Sequence, residues 1–227
     1  MVNVYLCRHG KTMFNTIGRA QGWSDTPLTT EGQAGIRELG LGFAAEGIKF
    51  DRAYSSDTGR TLQTMQIVLR ETGCEGIPWT FDWRIREWCF GSFDGAYDGE
   101  LFGGVLPRIF AEGGQDGRLR STKETCEAIY RVDTAGWAET WEELSGRILT
   151  GFHDIAAESE AAGAENVVII SHGMTIGTFV ELLEPDRPRP SGLDNGSVTK
   201  LAYENGRFAV ETIGDMSYRR LGQERMI

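Results

Sequence analysis

Apolar positions in this chain follow two periods, and the switches between them outline a fold. Residues 2–7 form a short apolar run, and residues 166–170 (Asn-Val-Val-Ile-Ile) form a second, rich in β-branched side chains. Both have the character of strands buried in a parallel sheet. After the first, Ala34, Leu39, Phe43, Ala44 and Ile48 roughly follow helical spacing, and Thr30 with Gln33 makes a capping-box signature at the helix start. A strand at Arg52–Ser55 leads through a polar turn to a helical stretch with Leu62, Met65, Ile67, Val68 and Leu69 on its apolar face. Thr140 and Glu143 make another capping box, ahead of Leu144, Ile148, Phe152 and Ile155 on one face of a long helix. The strand at 166–170 follows it, and then a helix over about 175–183.

Near the C-terminus, residues 198–203 and 208–213 flank Glu204-Asn205-Gly206-Arg207, where Asn-Gly supplies the positive φ angles of a tight hairpin. The alternation elsewhere predicts an α/β fold: a three-layer sandwich with a mainly parallel central sheet, helices on both faces and a C-terminal antiparallel hairpin. The stretch 88–137 breaks the alternation, being rich in glycine and aromatics, and is expected to be a cap inserted over one edge of the sheet. No internal repeat, low-complexity tract or Pro- or Ser-rich linker interrupts the chain, so residues 1–227 are expected to form one domain carrying that cap. Pro185-Asp-Arg-Pro-Arg-Pro190 reads as a stiff loop.

Composition narrows the class of function. Hydrophobic residues make up 40% of the 227, enough for a substantial core. The formal net charge of -10 opposes general affinity for nucleic acid or an anionic membrane, so an anionic small substrate would need a local cationic pocket. The opening residues lack a basic segment followed by a long apolar one, and no later stretch is long enough to span a bilayer; the expectation is a cytoplasmic protein with no membrane partner. Cys7, Cys74, Cys89 and Cys126 form no Cys-x-x-Cys pair, so neither a zinc site nor a redox motif is indicated. None of them opens the Cys-to-Arg loop of a cysteine-nucleophile phosphatase, and the Gly-rich signatures of dinucleotide and P-loop sites are also missing.

Of three histidines, two sit in near-identical surroundings: Val-Tyr-Leu-Cys-Arg8-His9-Gly10 and Val-Ile-Ile-Ser171-His172-Gly173. The carboxyl ends of parallel strands face the ligand crevice of an α/β sheet, and glycine there lets the backbone turn sharply beside a ligand. One such histidine is ordinarily a satisfied hydrogen-bonding residue; a matched pair points to one crevice. His153 reads as a surface or half-buried residue. Arg8, at the end of an apolar strand, calls for an anion or carboxylate partner. Arg60, just past the strand at Arg52–Ser55, either reaches the same crevice or is a solvated residue at a helix start.

Arg8-His9-Gly10-Lys11-Thr12-Met13-Phe14-Asn15, then Gln21-Gly22-Trp23-Ser24-Asp25-Thr26-Pro27-Leu28-Thr29 and Gly32, resembles the opening of the histidine phosphatase superfamily, also called phosphoglycerate mutase-like. Ser55-Ser56-Asp57 through Arg60 with Gln63-Thr64 resembles its second block, and Ser171-His172-Gly173 its third. The resemblance implies that His9 attacks phosphorus and carries the phosphoryl group, with Arg8, Arg60 and His172 around the phosphoryl oxygens and no metal or cofactor required. It also implies that Asn15 donates to the phosphate and that Gln21 and Gly22 line the substrate side, with Thr12 and Gly173 in the matching phosphate-binding stretches. Arg84-Ile85-Arg86-Glu87-Trp88-Cys89-Phe90-Gly91-Ser92-Phe93-Asp94-Gly95 is similar to the segment supplying the general acid and base, which matches Glu87; Asp94 is the alternative carboxylate.

Mutases of this superfamily carry Glu-Arg-His-Tyr-Gly where this chain has Glu87-Trp88-Cys89-Phe90-Gly91, and 188–198 lacks the mutase-like loop of small residues. Trp88 and Phe90 offer neither the charge nor the hydroxyl, so the expectation is a phosphatase acting on a small anionic phosphoester. A 2,3-bisphosphoglycerate-dependent phosphoglycerate mutase and an inactive phosphate-binding or interaction module are the alternatives. A module would be expected to lack the nucleophile, the second histidine or an arginine, and all of these are present. The cap adds Trp88, Phe90, Phe93, Tyr97, Phe102 and Phe110, as an aromatic entrance or as its own small core, and Arg108, Arg118, Arg120 and Lys123 as candidate anion contacts.

Overall fold

The computed structural model describes residues 1–112, 120–188 and 192–225; Arg118 and the end of the loop at 185–190 therefore lie outside the described residues. The chain begins with β1 (Val2–Arg8), α1 (Met13–Ile17), α2 (Thr30–Ala45), β2 (Arg52–Ser55), α3 (Gly59–Thr72) and an edge strand β3 (Trp79–Phe81). The stretch 88–137 holds the short helices α4 (Asp98–Glu100) and α5 (Leu106–Glu112), joined by a π turn, and then α6 (Thr122–Val132). The chain continues through α7 (Trp141–Ala161), β4 (Asn166–Ser171), α8 (Gly173–Leu183), β5 (Val198–Glu204), β6 (Arg207–Asp215) and α9 (Ser217–Glu224).

The six strands form one sheet in the order β3-β2-β4-β1-β5-β6. The first four are parallel, while β5 runs antiparallel to both β1 and β6. This is the expected α/β arrangement with its C-terminal hairpin, and the turn between β5 and β6 places Asn205 at φ 51 and Gly206 at φ 80.

Strand pleating divides the core. Val2, Val4 and Leu6 of β1, with Val167 and Ile169 of β4, pack with Leu144, Ile148, Phe152 and Ile155 of α7 and Ile176 and Phe179 of α8. Tyr5, Cys7, Val168 and Ile170 point to the opposite face, where Ile36, Leu39 and Phe43 of α2 meet Met65 and Val68 of α3. β1 and β4 are therefore buried on both sides, as their apolar runs predict. Leu101, Leu106, Cys126 and Ile129 from the 88–137 stretch join the same cluster as α7 and α8.

Two helix starts differ from expectation. The cap of α2 is Thr29, whose hydroxyl accepts from Gly32 N at 3.0 Å; the box of Thr30 and Gln33 does not form. Thr29 N donates to Lys11 O at 2.9 Å, and this tertiary tie holds Thr29 extended as the cap, so that the helix begins at Thr30, one residue earlier than the Thr30–Gln33 box implies. α8 begins at Gly173, directly after the strand, with His172 as its N-cap. The capping box of Thr140 and Glu143 forms as read.

Candidate active site

The parallel strands β1, β2 and β4 deliver His9, the turn from Ser56 into Arg60 of α3, and His172 to one end of the sheet, because all three strands point the same way. His9 and His172 are both buried, their rings edge to face with centroids 5.3 Å apart. His9 Nδ1 lies 2.8 Å from Gly10 O. A carbonyl can only accept, so Nδ1 carries the proton and the lone pair sits on Nε2. Burial, reinforced by the Arg60 and Arg8 guanidiniums, pushes the His9 imidazole well below its usual range. The ring is neutral, as a nucleophile must be.

His172 makes the complementary choice. Its Nδ1 accepts from Arg60 Nε at 3.2 Å and faces Arg60 Nη2 at 3.0 Å, which leaves Nε2–H to donate to Ser56 Oγ at 2.7 Å. Burial, then Arg60, holds this imidazole neutral too. Arg60 is fully enclosed, donating also to Gly22 O at 2.7 Å, Ser24 O at 2.9 Å and Asp25 Oδ1 at 2.9 Å. It is no solvated helix-start residue. Arg8 donates through Nη1 to Leu193 O, while its buried Nε has no hydrogen-bond partner among the described residues. A buried guanidinium with an unmet donor favours an anion beside it.

A cavity of about 410 Å³ opens here, and its wall includes Arg8, His9, Asn15, Gln21, Glu87 and Gly173. Thr12, Gly22, Arg60 and His172 are absent from that wall and touch residues at or near it. Thr12 donates to Gln21 Oε1 at 2.6 Å and caps α1. Gly22 approaches so closely that an added Cβ would lie 2.2 Å from Trp88 O.

Glu87 is buried at the start of α8. Its Oε1 accepts from Trp88 N at 3.1 Å and Thr175 N at 2.9 Å, and its Oε2 from Met174 N at 3.0 Å. Two of these donors are helix-terminal N–H groups without an intrahelical partner. Glu87 forms no ion pair with its arginine neighbours: Arg86 pairs with Asp57, and Arg84 with Asp82 and Asp154. Asp94, the alternative carboxylate, accepts from Gly22 N at 2.9 Å, Ser24 N at 3.0 Å and Phe90 N at 3.0 Å, outside the cavity wall.

Further residues around the site lie outside the motifs that mark His9, Arg60, Glu87 and His172. Arg147 of α7, paired with Glu139, donates to the carbonyls of Arg84 and Arg86 at 2.8 Å each and of Glu87 at 2.9 Å, clamping the loop that carries Glu87. A charged residue inside the apolar stripe of α7 was the available clue. Asn195 donates to His9 O at 3.0 Å from the loop before β5. Among the described residues, the cationic side chains on the cavity wall besides Arg8 are Arg19 and Arg187; Arg108, Arg120 and Lys123 of the 88–137 stretch are not part of it. Arg120 lies over the Phe110 ring, and Lys123 pairs with Glu127. Trp88, Phe90 and Phe102 do wall the cavity, whereas Phe93 and Phe110 are partly buried against the core and Tyr97 is exposed beneath Arg19. His153 is half-buried against Phe208, away from the cavity.

A parallel sheet bearing His-Gly at the ends of two adjacent strands, extended by an antiparallel hairpin, defines a phosphoglycerate mutase-like α/β protein. The chain belongs to the histidine phosphatase superfamily (branch 1), whose family model matches residues 4–105 and 111–216. It is 30% identical to "Probable phosphoglycerate mutase GpmB" of Salmonella typhi over 228 residues, covering 96% of this chain and 95% of that one. The crystal structure of phosphoglycerate mutase from Bacillus anthracis superposes with a TM-score of 0.87 at 35% identity, covering 98% of this chain and 96% of that one. Bacillus stearothermophilus YhfR gives a TM-score of 0.75 at 28% identity over 96% of this chain and 100% of its own. Among the described residues no helix is long and apolar enough to cross a membrane.

Proposed function

We propose that the protein is a metal-independent phosphomonoesterase that works through a phosphohistidine on His9. The observation that carries this reading is a neutral imidazole with its lone pair on Nε2, set in a cavity wall that also includes Arg8, whose buried Nε has no hydrogen-bond partner among the described residues. His9 Nε2 attacks phosphorus and the bond to the ester oxygen breaks; Glu87, entering as the acid, gives that oxygen its proton. Water then attacks the phosphohistidine, Glu87 takes the proton back, and inorganic phosphate leaves with the His9 lone pair restored. Arg8, Arg60 and His172 stabilise the transferring group, with Asn15 donating from the wall. For Arg60 to reach a phosphoryl oxygen, its bonds to His172 Nδ1 are exchanged for bonds to substrate.

Hydrolysis is favoured over isomerisation by Trp88 and Phe90, which stand in the wall where mutases of the family carry arginine and tyrosine. Trp88 Nε1 is committed to Thr178 Oγ1 at 3.1 Å. With Phe102, Met174 and Leu193 these rings suit a phosphoester whose leaving group has apolar or sugar-like bulk. The mutase reading has the names of two relatives behind it and is the second reading.

The purified protein in chelator is expected to hydrolyse an aryl phosphate, and His9→Ala to abolish this. Full activity in His9→Ala would sink the mechanism. Rapid conversion of 3-phosphoglycerate to 2-phosphoglycerate with catalytic 2,3-bisphosphoglycerate would overturn the choice of phosphatase.

A further inference from the structure

Asn15 Oδ1 accepts two hydrogen bonds, from Thr12 N at 3.2 Å and from Asn195 Nδ2 at 3.2 Å. The side-chain amide is planar with an acceptor at one end and donors at the other, so two donors on one oxygen decide its orientation. Asn15 Nδ2 is thereby left without a protein acceptor among the described residues, on a side chain that forms part of the cavity wall. Thr12 N alone would hold Oδ1 through one bond of a short helix cap. Asn195 supplies the second from a different part of the fold.

Asn195 is itself held firmly. Its other amide hydrogen goes to His9 O at 3.0 Å, and its carbonyl accepts from Arg219 Nη1 at 3.0 Å. Arg219 is anchored on Glu38 of α2 at 2.7 Å. The next residues close onto the nucleophile strand, with Gly196 N donating to Arg8 O at 3.0 Å and Arg8 N to Ser197 O at 3.1 Å. The amide of Asn195 is thus registered against the backbone of Arg8 and His9.

We infer that Asn195 is a positioning residue: it fixes the Asn15 amide so that its N–H donors face the phosphoryl group held at His9. This rests on the phosphatase reading above. Asn195 touches no substrate atom and acts through Asn15 and the His9 carbonyl. Without it, the Asn15 amide can turn over and offer an oxygen to an anion.

The test is a double-mutant cycle read by competitive inhibition of aryl phosphate hydrolysis by inorganic phosphate, with the melting temperature of each variant followed in parallel. Asn15→Ala and Asn195→Ala are each expected to weaken phosphate inhibition about tenfold, the scale of one hydrogen bond to a charged group. The double variant should be no weaker than Asn15→Ala within about twofold, because both changes remove one donor. Asn195→Asp, nearly isosteric, replaces the donor with an oxygen, should weaken inhibition at least as much, and serves if the alanine variant does not fold. Multiplying losses in the double variant, or unchanged phosphate inhibition in folded Asn195 variants, overturns the inference and leaves the phosphatase reading intact. A wild-type protein that neither hydrolyses aryl phosphate nor binds inorganic phosphate overturns both.

Discussion

Replacing Arg147 by methionine keeps much of the side-chain volume and removes every donor. Arg147 is buried with 6% of its surface exposed, and its guanidinium pairs with Glu139 at 2.7 Å through Nη2 and holds the carbonyls of Arg84, Arg86 and Glu87. Arg147→Met therefore leaves the Glu139 carboxylate without its cation and the Arg84 carbonyl without its donor, while the carbonyls of Arg86 and Glu87 each keep one other hydrogen bond, from Thr175 Oγ1 and Trp23 Nε1. Removing one partner of a buried ion pair costs about 3–5 kcal/mol. For a chain of this size that lowers the melting temperature by roughly 6–20 °C. The same loss frees the loop that aims Glu87, and a displacement near 1 Å at a reacting group lowers the rate about a hundredfold. Urea unfolding measures the first effect; steady-state aryl phosphate hydrolysis at a temperature where the variant is fully folded measures the second. The double variant Glu139→Leu with Arg147→Met separates them: stability should largely return, since no charge is left unpaired, while kcat stays low. An unchanged kcat in the folded single variant would refute the loop-clamping argument, and an unchanged unfolding midpoint would refute the energetic one.

Acid should destabilise the protein earlier than its carboxylates alone dictate. The unfolded imidazoles of His9 and His172 titrate near 6.5, whereas burial, then the neighbouring Arg60, lowers both well below that in the folded chain. Below pH 6.5 the unfolded state binds protons that the folded state refuses, so stability falls with pH; above it the two rings contribute nothing. A melting temperature level above pH 7 and declining toward pH 5 is expected, with a smaller decline in His9→Gln; a flat profile contradicts it. Gly22→Ala places a methyl 2.2 Å from Trp88 O and 2.8 Å from Asp94 Oδ2, and should lower both the melting temperature and kcat by disturbing the carbonyl that Arg60 holds. Wild-type activity and melting in Gly22→Ala would show that the loop yields.

Local order was legible where it depends on neighbours in the chain. The apolar runs of β1 and β4 predict strands buried on both faces, Asn205-Gly206 predicts the hairpin turn, and Thr140 with Glu143 predicts the start of α7, because pleat, turn and cap are set within a few residues. The two His-Gly strand ends were legible for the same reason, while their meeting at one crevice follows from β1 and β4 lying side by side in the sheet. The edge strand β3, the helix α9 and the start of α2 at Thr29 required tertiary contacts. So did the interior of the site. Arg60 meets His172 across 112 positions, Asn195 meets His9 across 186, and Arg147 meets the Glu87 carbonyl across 60. No periodicity or spacing carries such pairings; they arise only when the sheet brings strand ends together and buried polar groups take the nearest partners that satisfy them. The sequence alone named most of the chemical groups of the site, and the fold decided which of them face the cavity and which hold the others in place.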